Sequence, residues 1–194
     1  MGKNQKKKYH GFSRARQQRA ETEFRKKEWN AVGKLNRQYE RLCYGEQTGG
    51  TIALFGSSNI RRLNLEKVAR EFAGREVIRY GISGATSFEL KRQVDALILQ
   101  NQIEAIIIHG GTNDVWGPSR RHPVVSKDRI AQDIFDTALK CRRSGVRHVF
   151  ISGIGPINDS RRHNADSQEL ATAVNELVEQ HCYQREDIHY IDNS

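Results

Sequence analysis

The sequence predicts an α/β protein: a three-layer α/β/α sandwich around a five-stranded parallel sheet, preceded by a basic, largely helical arm. Three observations carry that expectation. Short β-rich runs recur five times after residue 50, stretches of helical periodicity separate them, and the loops after the first four runs consist of Gly and small polar residues. Strands joined by helical crossovers pair in parallel, and such a sheet is covered by helices on both faces. The expected strand order is the flavodoxin-like 2-1-3-4-5.

The first run, Ile52-Ala53-Leu54-Phe55, is short and wholly apolar, as suits a strand buried on both faces. The predicted strands are 51–55, 76–80, 104–109, 147–152 and 188–191, and the predicted helices 61–72, 87–99, 126–143 and 166–183. Ser126 reads as the N-cap of the third helix, and Asp166, followed by Glu169, as that of the fourth. Gly145, just after Arg142 and Arg143, fits a C-terminal stop.

The 194 residues suffice for one such domain, residues 51–194, with an appendage, residues 1–50, and are too few for two ordinary domains. Charge separates the parts. Residues 1–47 hold 13 Lys and Arg against 5 Asp and Glu, whereas the remainder holds 19 against 18, so nearly all of the net +9 lies in the first quarter. Lys6, Lys7 and Lys8 form a cluster, Arg14, Arg16 and Arg19 follow, and Phe24, Ala31, Leu35, Tyr39 and Leu42 recur at helical spacing. Such an arm is expected to meet a polyanion, nucleic acid before an anionic membrane surface; a solvated charged helix is the plainer alternative. Gly45-Glu46-Gln47-Thr48-Gly49-Gly50 reads as a linker.

Cys43, Cys141 and Cys182 are far apart and form no CxxC, which argues against a disulfide framework or a zinc site and suits a reducing compartment. No apolar run approaches the roughly 18 residues of a membrane span, and no apolar stretch follows the first lysines as in a secretory leader. The expected location is cytoplasmic or nuclear.

Four loops fall at the carboxyl ends of successive strands: Gly56-Ser57-Ser58-Asn59, Gly81-Ile82-Ser83-Gly84-Ala85-Thr86, Gly110-Gly111-Thr112-Asn113-Asp114 and Gly153-Ile154-Gly155-Pro156. Open α/β sheets bind ligands at this edge. A Ser hydroxyl, a Gly backbone N–H and an Asn amide converging there can hold the tetrahedral oxyanion of acyl transfer. The first loop can also be read as a phosphate-binding turn, but it lacks the Lys and the spacing of a P-loop.

In that order, GSSNIRRL, RYGISGAT, IIIHGGTNDV and VFISGI resemble the SGNH (GDSL-type) hydrolase family over roughly residues 51–194, in the manner of esterase-like domains of transposon-associated and uncharacterised eukaryotic proteins. GTND after a buried strand is the most specific element. The resemblance implies Ser58 as nucleophile and, through its backbone N–H, one oxyanion donor, with Gly84 (backbone) and Asn113 (side-chain amide) as the others. It also implies a small ester or thioester substrate and neither metal nor organic cofactor.

Two departures from the family pattern stand out. Ser57 occupies the place of an acidic residue, and its hydroxyl is expected to hydrogen-bond locally. The family's general base is a His in a DxxH block after the last strand, and no Asp-x-x-His occurs in these 194 residues. A serine hydroxyl without a base is a weak nucleophile near neutral pH. His163, in the loop after the fourth strand, is the substitute on the correct edge; His109, His148 and His189 fall in strands, and His10, His122 and His181 at the surface.

Ser57, Asn59, Asp114 and Trp116 are the expected binding residues around Ser58. Asp114 is also expected to orient its loop or cap the next segment, and Trp116 with Arg120-Arg121-His122 to overhang the site. Asp133 and Asp136 are expected on a helix surface. Two functions follow: a serine ester hydrolase with a base supplied, or a non-catalytic hydrolase-fold binding protein tethered to nucleic acid by residues 1–47.

Overall fold

The structure, a computed structural model, describes residues 50–72, 75–116, 125–157 and 164–193. The basic arm with Lys6, Lys7, Lys8, Arg14, Arg16 and Arg19, the Arg120-Arg121-His122 loop, and His163 lie outside the described residues. Strands β1 (Thr51–Gly56), β2 (Val77–Gly81), β3 (Ile103–His109), β4 (His148–Ser152) and β5 (Ile188–Ile191) form one parallel sheet in the expected order, β2-β1-β3-β4-β5. The helices are α1 (Ser58–Arg62), α2 (Leu65–Glu71), α3 (Ser87–Gln100), α4 (Thr112–Val115), α5 (Lys127–Arg143) and α6 (Asn164–Tyr183).

Period-two alternation divides the apolar strand residues between two cores. Ala53, Phe55, Ile106, Ile108, Val149 and Ile151 face the larger core, with Leu90 and Val94 of α3, Ile130 and Ile134 of α5, and Val174 and Val178 of α6. Ile52, Leu54, Ala105, Ile107 and Phe150 face the other, closed by Ile60 of α1, Val68 of α2 and Phe72. Full burial of each such Leu, Ile, Val or Phe side chain is worth about 1.5–3 kcal/mol, so the central strands hold the sheet together. Cys141 and Cys182 are buried free thiols, both pushed up to about 12 by burial.

Four local features complete or correct the sequence expectations. The predicted helix 61–72 is two helices: it starts at Ser58, with Ser57 as N-cap, and breaks after Arg62. Asn64 causes the break, because its side chain accepts the Lys67 N–H at 3.1 Å and starts α2, while Arg79 of β2 donates to the Leu63 carbonyl. Asp166 is no cap, since α6 begins two residues earlier at Asn164. Asp133 is 1% exposed rather than on a helix surface, and it pairs with Lys91 of α3 and with Arg129 at 3.0 Å. Ser126 does cap α5, and Gly145 at φ 90° ends it, its N–H donating to the Arg142 carbonyl and that of Val146 to Cys141.

Candidate active site

The loops after β1, β2 and β3 lie side by side because the sheet order puts β1 between the other two. Two glycines let them touch. A Cβ on Gly56 would stand 2.2 Å from the His109 carbonyl oxygen, and one on Gly81 would stand 2.3 Å from the Arg61 nitrogen. No side chain fits at either distance. The gap is closed by hydrogen bonds, from the Ile82 N–H to the Gly56 carbonyl at 2.8 Å and from the Ser57 N–H to the His109 carbonyl at 3.3 Å.

Ser58 is the first residue of α1 and half-buried. Gly84 is exposed in the second loop, at φ 76°. The Asn113 amide nitrogen, in α4, donates to the Ala85 carbonyl at 2.8 Å, beside Gly84. That nitrogen carries a second N–H. Asp114, next in α4, accepts from the Ser87 N–H at 2.8 Å and from the Ser87 hydroxyl at 2.9 Å, so it caps α3 together with the Thr86–Glu89 capping box. Trp116 closes α4 and is 42% exposed.

Ser57 is fully buried, and its hydroxyl has no partner among the described residues, so the expected local hydrogen bond is not made. Asn59 turns inward. Its amide nitrogen lies 3.1 Å from His109 Nε2, and His109 Nδ1 lies 3.3 Å from the Ser152 hydroxyl. Asn193, beyond β5, donates to the same hydroxyl and to the Gly153 carbonyl at 2.9 Å. With the Asn59 amide donating, Nε2 accepts and the ring is neutral with its proton on Nδ1. Burial pushes the His109 pKa down to about 4. This polar chain, buried at His109 and Ser152, was missed as a unit: His109 reads from sequence only as a strand residue, and its partners come from three other segments.

The other described histidines are set into the body. His189 of β5 packs on Phe150 at 5.3 Å between ring centroids, with its pKa lowered by burial, and His181 of α6 stacks on Phe135 at 5.0 Å. The loop after β4 is fastened to α6, where Asn175 binds both the N–H and the carbonyl of Ile154 and Gln168 accepts the Ile157 N–H.

Fold and loops together define an open parallel α/β domain whose small polar loops gather at the carboxyl edge of its first three strands. The profile of the GDSL-like lipase/acylhydrolase family matches residues 48–193, and the chain belongs to that family. No curated protein matches it in sequence. Among solved structures, it is similar to a GDSL-like lipase from Bacteroides thetaiotaomicron, with a TM-score of 0.61 and 16% identity over 82% of this chain and 78% of that one. It is also similar to AlinE4, an esterase of the SGNH-hydrolase family, with a TM-score of 0.56 and 16% identity over 75% and 77%. The acetyl xylan esterase AlAXEase gives 0.55 and 17% over 74% and 77%. At these identities the likeness speaks for the fold. Among the described residues no helix is long and apolar enough to cross a membrane.

Proposed function

We propose that the domain hydrolyses an acyl ester of a small molecule, with Ser58 as nucleophile. The Ser58 Oγ attacks the carbonyl carbon, and the oxyanion that forms receives hydrogen bonds from the Ser58 and Gly84 backbone N–H groups and from the Asn113 amide. Collapse expels the alcohol and leaves an acyl-serine, which water then cleaves. A base must take the serine proton and pass it to the leaving alkoxide, then take a proton from the water and return it to the serine oxygen, and His163 is the candidate for this role. The observation that carries the reading is the cross-bonding of the three loops, Ser57 to His109 and Asn113 to Ala85, which keeps the donor-bearing segments together.

Turnover of para-nitrophenyl acetate tests it. Ser58→Ala is expected to abolish turnover, and Asn113→Ala to lower kcat by roughly 10²–10³. His163→Gln is expected to cost several powers of ten, as loss of a triad base does. The cationic excess of residues 1–47 favours a second reading, a non-catalytic hydrolase-fold protein held on nucleic acid by those residues. Failure of a fluorophosphonate to label Ser58, together with no turnover, would leave only that one.

A further inference from the structure

We propose that Arg61 makes this site select esters bearing a negative charge close to the scissile carbonyl, an inference that rests on the Ser58 reading above. Close approach fixes where the side chain starts: the Gly81 backbone leaves no room for a Cβ against the Arg61 nitrogen and Cα, at 2.3 and 2.5 Å. The side chain then reaches across to the second loop, where Nη1 donates to the Ser83 hydroxyl at 3.0 Å. Ser83 immediately precedes Gly84, and Arg61, Ser83 and Gly84 are all exposed. A guanidinium thus stands one residue from a proposed oxyanion donor.

Arg75, Arg129, Arg142 and Arg185 each pair with a carboxylate, whereas among the described residues none pairs with Arg61. The acid on the adjoining loop, Asp114, is turned into the Ser87 N–H and hydroxyl, and the first turn of α1 carries no acidic residue. One of the five guanidinium N–H donors is used on Ser83. The rest form a fork that suits a carboxylate or phosphate and is poorly matched by a neutral group. The charge is there in ground and transition states alike, so Arg61 acts on KM more than on kcat.

The anion can sit on the acyl side, as in a dicarboxylic half-ester, or on the alcohol side, as in an acylated alcohol phosphate. Two matched pairs separate these: para-nitrophenyl hemisuccinate against para-nitrophenyl butyrate, and acetylated glycerol phosphate against glyceryl acetate. In the full chain, kcat/KM for the anionic member of one pair is expected to exceed that of its neutral partner by about three- to tenfold, as an exposed charge-assisted contact allows. Arg61→Gln is expected to remove that preference through KM. Arg70→Gln, which deletes an exposed cation in the last turn of α2, should keep it, and about 0.5 M salt should weaken it. No preference in either pair, or an equal loss for both members in Arg61→Gln, would mean that Arg61 only fastens the Ser83 loop. If no ester turns over at all, the Ser58 reading fails separately. Arg61 is then tested by NMR titration with succinate against butyrate and glycerol phosphate against glycerol. Shifts of the Ser83 and Gly84 amides caused by an anion and lost in Arg61→Gln support the proposal, and their absence overturns it.

Discussion

Burial keeps the His109 ring neutral against the opposing pull of its Ser152 hydrogen bond, and the sign of its effect on stability follows. In the unfolded chain the ring takes up a proton near pH 6.5, in the fold only near 4. Between those values the unfolded state holds the extra proton, so the stability contribution is complete above about pH 6.5 and is lost as pH falls toward 4. The full effect is on the order of 3 kcal/mol. His109→Gln is expected to flatten this stretch of the pH profile, read as urea midpoints at pH 7 and 4.5; equal slopes in both proteins would contradict it. Ser57 offers a second test. Its buried hydroxyl bonds to nothing described, so Ser57→Ala is expected to leave stability unchanged or raise it by up to about 1 kcal/mol in urea unfolding. A clear loss would reveal a partner for the hydroxyl.

Among the elements, α5 is fixed to α3 by charge as well as by packing. Asp133 of α5 sits between Lys91 and Arg129, and its carboxylate is 2% exposed. The Lys91 pKa is raised, chiefly by its hydrogen bond to Asp133, so this contribution persists through neutral pH and is lost only as pH rises past the lysine's own range. Because both cations keep some contact with water, Asp133→Ala is expected to cost about 1–3 kcal/mol, below the value for a wholly buried pair. Urea unfolding measures it, and an unchanged midpoint would show that the pair is idle. Strands and most helices were legible in the sequence because burial on both faces writes itself as short apolar runs, and packing on one face as period 3.6. The break at Asn64 was not, since Ile60, Leu63, Leu65, Val68 and Phe72 keep apolar spacing on both sides of it. Nor was the burial of Asp133, whose partner Lys91 lies 42 residues earlier. The rim of the candidate site was legible because each loop follows its own strand, while the Asn59–His109–Ser152–Asn193 chain joins residues 50, 43 and 41 positions apart.

Across the molecule, the charge of the sequence and the candidate site fall in different segments. The described chain enters at the amino edge, where the Gly50 N–H donates to Glu104 at 2.9 Å, and the candidate site lies at the carboxyl edge, about 20 Å away along β1. The body is close to neutral, whereas residues 1–47 carry thirteen cations against five anions. If those cations meet a nucleic acid, binding is governed by counterion release, with log K falling linearly against log salt by about 0.9 for each phosphate neutralised on duplex DNA. Replacing Lys6, Lys7, Lys8, Arg14, Arg16 and Arg19 together with Gln is therefore expected to weaken binding to a duplex and to lower the salt slope by up to about 5. The same protein should turn over a neutral ester as before, because none of the six is among the residues assigned to the candidate site. Fluorescence anisotropy across a salt series, run beside an ester assay on one preparation, reads both effects. Undiminished binding in the six-fold variant would move the nucleic-acid contact onto the body, and loss of both activities together would show that arm and site act as one unit.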